Sequence, residues 1–186
     1  MLTARKLTIF RGDRLVLSGL ALMLCPGDIL LLRGANGTGK TSLLRALAGL
    51  TPFAAGELLW NGQPALTDHA LHAARIGWLG HQNAVKASLT PAEHVPISAL
   101  SLVGLEHLAY TPCQRLSAGQ KRRVALARVA ATPKPLWLLD EPTTGLDSIA
   151  IDYFLALCQA QRDRGGMIIA STHTDFTMPR AKTLSL

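Results

Sequence analysis

Charge is scarce in this chain: Asp, Glu, Lys and Arg make up only 17% of its 186 residues, against 48% hydrophobic. That balance excludes a disordered segment, which needs the reverse. Aromatic residues are scarcer still, at 5%, so few platforms exist on which bases can stack, and no nucleic-acid partner is expected. Cys25, Cys113 and Cys158 form no C-x-x-C pair and read as buried, reduced thiols. The histidines lack metal-ligand spacing: His69 and His72 stand three apart, with no third ligand near them. Long apolar runs are missing too. The longest, Leu15 to Cys25, contains Ser18 and Gly19 and is too short to span a bilayer. Residues 1–14 hold no apolar core of a secretion signal, so the chain is expected in the cytosol unless a partner holds it elsewhere.

What is present fits one domain with a real core. The net charge is +7, spread thinly except at Lys121-Arg122-Arg123. Such a surplus suits an anionic ligand, an acidic partner or a membrane surface.

The sharpest pattern is GANGTGKT at 34–41, which fits the phosphate-binding loop G-x-x-x-x-G-K-[ST] at every fixed position. Ile29 to Leu32 before it reads as a buried parallel strand. SLLRALAGL after it places Leu43, Leu44, Leu47 and Leu50 at helical spacing. Gly34, Gly37 and Gly39 let the backbone curl around phosphates without Cβ clashes. The freed N–H groups and the helix N-terminus then face the anion. On this reading Gly34, Ala35, Asn36, Gly37, Thr38, Gly39, Lys40, Thr41 and Ser42 cradle the phosphates of a nucleotide. Lys40 reaches the outer phosphates, and Thr41 offers its hydroxyl to Mg²⁺.

Taken in order, residues 2–24 predict two strands turning at Arg11-Gly12-Asp13, and Gly56 to Trp60 another, ending at Asn61-Gly62. A weak helix at Ala70 to Ala74 and a strand at Ile76 to Leu79 follow. Thr90 to His107, broken by Pro91 and Pro96, reads as a small helical insert. Ser117 and Gln120 form a capping-box signature for a helix ending before Pro133. Leu136 to Leu139 is a buried strand closing on Asp140-Glu141-Pro142, Ile149 to Asp163 a helix, and Met167 to Ala170 a strand before His173. Strands alternating with helices predict an α/β domain with a largely parallel sheet.

Five motifs therefore stand in fixed order: GANGTGKT, Gln82 after a strand, LSAGQ at 116–120, LWLLDEP at 136–142, and His173 after a strand. The set resembles the ATP-binding cassette (ABC) ATPases, over nearly the whole chain. The resemblance implies a P-loop NTPase, RecA-like core with a mainly parallel sheet, an antiparallel β subdomain and a short helical subdomain. Residues 1–86 and 133–186 would form the core with its β subdomain, and 87–132 the helical part carrying the signature. It implies Asp140 as a Mg²⁺ ligand with Thr41 and Gln82, and Glu141 as the base that takes a proton from attacking water. Gln82 and His173 are implied as catalytic partners, the latter on the γ-phosphate. Arg11 occupies the place where many members stack an aromatic on adenine, and a guanidinium plane can also stack. Ser117 and Gly119 are implied to complete the ATP site of a second subunit, so a homodimer is expected, and Asp147 is implied as the D-loop aspartate among the nucleotide-binding residues.

Closer strings narrow the resemblance. LGHQNAVKASLTPAEHV, SAGQKRRVALAR, GDRLVLSGLALML and GELLWNGQPAL are similar to the branch that powers haem export in cytochrome c maturation. That branch implies peripheral attachment to the cytoplasmic face of an inner membrane, with CcmB-like and CcmC-like transmembrane partners. The chain carries no C-x-x-C-H motif, so no direct haem binding is expected. An ATPase of another ABC transporter, or a soluble ABC protein of DNA repair or translation, fits the same core motifs.

Overall fold

The computed structural model describes residues 1–172 and 178–186. In chain order the first elements are β1 (Leu2–Arg11), β2 (Arg14–Leu24), β3 (Ile29–Arg33), α1 (Lys40–Leu47), β4 (Ala55–Trp60), β5 (Gln63–Pro64), α2 (His69–Ala74) and β6 (Ile76–Leu79). Then come α3 (Pro91–His94), α4 (Ile97–Ser101), α5 (Ala118–Ala130), β7 (Leu136–Leu139), α6 (Ser148–Asp163), β8 (Met167–Ser171) and β9 (Lys182–Ser185).

The strands form two sheets. One is antiparallel in the order β2-β1-β4-β5, and the other is parallel throughout in the order β6-β7-β8-β3-β9. The parallel sheet is apolar on both faces, and period-two alternation divides its side chains between two cores. Ile29, Leu31, Trp137, Leu139, Ile168 and Ala170 join a core with α4, α5 and α6. Leu30, Leu32, Leu136, Leu138, Met167 and Ile169 join a second core with α1 and β1. Each fully buried Leu or Ile contributes roughly 1.5–3 kcal/mol, so a one-residue slip in any central strand is strongly disfavoured.

The register fixes the site. Leu32 pairs with Ser171, and Leu139 with Ala170, so β3, β7 and β8 end level with one another. Their carboxyl-end loops, and the one after β6, emerge at a single edge, where open α/β sheets bind ligands.

The insert is built from short pieces for a local reason. Pro91 opens α3 at a position where no amide partner is needed, and Thr90 and Glu93 cap it reciprocally. Pro96 then starts α4 afresh. Among the described residues no helix is long and apolar enough to cross a membrane. The basic run at 121–123 is not a uniformly solvated face. Arg122 is buried, and Arg123 is half-buried with Nη1 donating to the Val103 carbonyl at 3.1 Å. Helical periodicity turns one of three consecutive residues inward whatever its charge.

His72 carries a pH dependence. It is buried, its Nε2–H donates to the Leu47 carbonyl at 2.9 Å, and its Nδ1 has no partner. Desolvation holds its pKa below the ordinary histidine value, against the opposing pull of the Leu47 carbonyl, with Arg75 and His69 adding to the fall. The folded state therefore binds fewer protons at this position than the unfolded state does. Stability from this residue is complete above about pH 6.5 and falls as the pH drops below it. Thermal unfolding measured from pH 8 to pH 5 should show this loss, and His72→Phe should flatten it. An unchanged slope in the variant would assign the acid sensitivity to other groups.

Candidate functional site

The loop between β3 and α1 takes the shape that its glycines permit. Gly37 and Gly39 have φ of +86° and +108°, a region costly for side chains. At Gly39 a Cβ would also run into the Val16 side chain. The helix that follows has no acidic residue in its first turn and no side-chain cap, so its leading amides remain available to an anion. Lys40 is buried, and its Nζ donates to the loop's own carbonyls at Gly34 (2.7 Å) and Ala35 (2.9 Å). Thr38 closes the turn by donating to the Ala35 carbonyl at 3.0 Å.

A cavity of about 360 Å³ opens over this loop. Asn36, Gly37, Gly39, Lys40, Thr41 and Ser42 form its floor, and Arg11, Arg14 and Val16 from the β1–β2 hairpin form a wall. His81 and Glu141 close the far side. Three permanent cations against one carboxylate suit a polyanion. A wider cleft of about 650 Å³ adjoins it, sharing Arg11, Thr41, Ser42 and His81 and adding Phe10 and Arg45.

Beneath the cavity lies a buried hydrogen-bonded cluster. Asp140 is 2% exposed, and Thr41 Oγ1 donates to its carboxylate at 2.9 and 3.1 Å. Ser171 Oγ donates to the same carboxylate at 2.7 Å and accepts the Glu141 amide at 2.8 Å. One hydroxyl thus fixes both acidic residues. Glu141 has φ of +49°, an uncommon conformation outside glycine and a mark of a constrained site. Its Oε2 accepts from Thr144 at 3.3 Å.

The remaining candidates separate into groups. Gln82 is exposed and does not line the loop cavity; its neighbour His81 does. His173 lies outside the described residues. Ser117 caps α5: its Oγ accepts the Gln120 amide at 3.1 Å, and Gln120 Oε1 accepts the Ser117 amide at 2.8 Å. Asp147 caps α6 by accepting the Ala150 amide at 2.8 Å. A Cβ on Gly119 would stand 2.6 Å from the Gly145 carbonyl, so glycine is required for the two caps to approach. Ser117, Gly119 and Asp147 share a cavity of about 300 Å³ that has no residue in common with the loop cavity.

Sequence reasoning missed Arg14, Val16, His81, Ser171 and Arg122. The first two reach the loop through the hairpin register, which no local string reveals. Ser171 had a readable signal, as the last residue of a buried strand beside Asp-Glu.

An all-parallel sheet, a phosphate loop facing an Asp-Glu turn, and a capped signature helix define a nucleotide-hydrolysing domain. The family model described as ABC transporter matches residues 17–144, and the chain belongs to that family of ATP-binding, ATP-hydrolysing domains. It is similar to two proteins named cytochrome c biogenesis ATP-binding export protein CcmA. With that of Paramagnetospirillum magneticum it is 46% identical, over 99% of this chain and 93% of the relative. With that of Rhodospirillum rubrum it is 46% identical, over 95% and 81% respectively. A solved structure described as a putative ABC transporter ATP-binding protein from Pyrococcus furiosus superposes with a TM-score of 0.85. It covers 100% of this chain and 96% of that one at 22% identity, a likeness of fold.

If Glu141 is the base in ATP hydrolysis, Glu141→Gln should retain nucleotide while turnover falls by roughly 10²–10⁴-fold. Steady-state phosphate release and nucleotide binding on the same preparation measure both. Unaltered turnover would remove Glu141 from that role.

Proposed function

We propose that this chain is the ATP-hydrolysing subunit of a membrane complex that exports haem, or releases its carrier, during cytochrome c maturation. The observation that carries this reading is the 46% identity, over 99% of the chain, to a protein named as that export ATPase. The cluster Thr41–Asp140–Ser171–Glu141 beside Lys40 supports the chemistry.

ATP lies with its phosphates against the loop amides and Lys40, and its base toward Arg11 and Val16. Mg²⁺ fits the donors present: a hydroxyl and a carboxylate 2.9 Å apart are the hard oxygens it prefers. Thr41 and Asp140 would hold it, with Gln82 reaching in from the loop after β6, and it would screen phosphate charge. Glu141 accepts the proton of the attacking water, and His173 contacts the γ-phosphate. Residues 87–132 act as the helical part that meets membrane partners, CcmB-like and CcmC-like, at the cytoplasmic face of an inner membrane. The surplus of basic residues favours an anionic leaflet. Haem is handled by those partners.

Ser117, Gly119 and Asp147 serve the ATP of a second copy; in support, they line a cavity that shares no residue with the loop cavity of their own chain. Mixing Lys40→Ala with Ser117→Arg should therefore recover ATPase activity that neither variant has alone, since each mixed dimer keeps one site whole. Normal hydrolysis by Ser117→Arg alone would reject the two-chain site.

A strain lacking this gene should accumulate apocytochrome c and no holocytochrome c, restored by wild type and not by Lys40→Ala. Normal holocytochrome in that strain would favour an ATPase of another ABC transporter. Tight haem binding by the purified chain would reject the division of labour.

A further inference from the structure

Arg122 is 4% exposed, and its guanidinium spends all five N–H donors on two separate loops. Nη1 donates to the Gly80 carbonyl at 2.8 Å and to Asn83 Oδ1 at 2.9 Å. Nη2 donates to the carbonyls of Asp140 at 2.5 Å and Glu141 at 2.8 Å, and Nε to that of Pro142 at 3.4 Å. The same helix, α5, sends Arg128 Nη1 to the Ala84 carbonyl at 2.5 Å. Both loops hold a strained residue at the point of attachment: Glu141 and Ala84 each have φ of +49°.

Burying a guanidinium is costly unless it is fully hydrogen-bonded. Desolvation lowers its pKa, and the carboxylates of Asp140 and Glu141 oppose that fall. Because four of the five acceptors are backbone carbonyls and the fifth is the neutral Asn83 side-chain amide, the fork constrains mainly backbone and not side-chain charge. A lysine has three donors and no plane, and cannot bridge the two loops in this way.

We propose that Arg122 is a positioning residue that locks the loop at 80–83 to the turn at 140–142, so that Gln82 and Glu141 are set together by the signature helix. The functional half of this inference rests on the ATPase reading above; the mechanical half does not. When α5 shifts relative to the parallel sheet, both loops must shift with it. Ser117 at the start of the same helix then reports the state of the second cavity to the Asp-Glu turn of its own chain.

The test joins hydrogen exchange to kinetics on the full chain. Arg122→Lys should speed amide exchange in 80–84 and 140–144 together, with no change elsewhere in the parallel sheet. Its kcat should fall by roughly 10–10²-fold, the usual effect of misplacing a catalytic group by about 1 Å, while KM for ATP and ATP affinity stay unchanged. Asn83→Ala removes one acceptor at the first loop only and leaves the buried arginine in place, so it reads the coupling even if the Arg122 variants fail to fold. It should deprotect 140–144, across the fork. Deprotection confined to 80–84 in Asn83→Ala overturns the lock, as does a parallel loss of ATP affinity and kcat in Arg122→Lys. A wild type that hydrolyses no ATP rejects the ATPase reading, and the exchange pattern still decides the lock.

Discussion

The Asp140 carboxylate is buried at the end of β7, and a carboxylate out of water must be hydrogen-bonded or paired. That requirement organises the edge of the parallel sheet. Its partners are Thr41, in the first turn of α1 beyond the loop that leaves β3, and Ser171 at the end of β8. Those hydroxyls can reach it only because β3, β7 and β8 lie side by side and finish level. The apolar alternation that builds two cores on the two faces of the sheet is what holds that register. A packing rule with no polar content thus sets the distance between a hydroxyl and a carboxylate that suit a divalent cation.

The next layer is backbone, and it is under strain. Glu141 adopts a positive φ that its own sequence does not favour. It stays there because its amide is taken by Ser171 and its carbonyl by Arg122. Such a conformation persists only where surrounding contacts over-determine it. Glu141 therefore faces the loop cavity by virtue of bonds from β8 and α5, elements far from it in sequence.

Legibility in the sequence followed the range of the interactions. The phosphate loop was readable because strand, glycines and helix are contiguous, and its glycines do adopt positive φ. The signature helix was readable because a capping box spans four residues, and both of its bonds are present. The β1–β2 hairpin was expected, yet its role as a cavity wall was not, since Val16 meets Gly39 only through tertiary packing. Gln82 was legible from motif order, whereas the lining of the cavity by its neighbour His81 was not. Motif order locates a loop; which of two neighbours points inward is set by tertiary packing that no local string reveals. The role of Arg122 was not legible. In a run of three basic residues the ordinary expectation is a solvated face, and only buried carbonyls from distant loops reverse it.

The same contrast between local and distant bonds bears on how two cavities in one chain can communicate. Ser117 and Asp147 are satisfied locally, each by an amide of the helix that it caps. Their cavity shares no residue with the loop cavity, so no side chain passes directly between them. What joins them is α5 itself, which Ser117 caps and which carries Arg122 little more than one turn past that cap. A helix is stiff over that distance, whereas the loops at 80–84 and 140–142 are not regular structure. Motion of the helix start is therefore transmitted through the guanidinium to two strained backbone segments. It is not absorbed between them, because a bidentate fork at each end leaves little slack. Coupling of this kind needs a rigid element with distinct positions and contacts that differ between them. The first is present in α5, and the second is supplied by any ligand that bridges the Ser117 cavity to another surface.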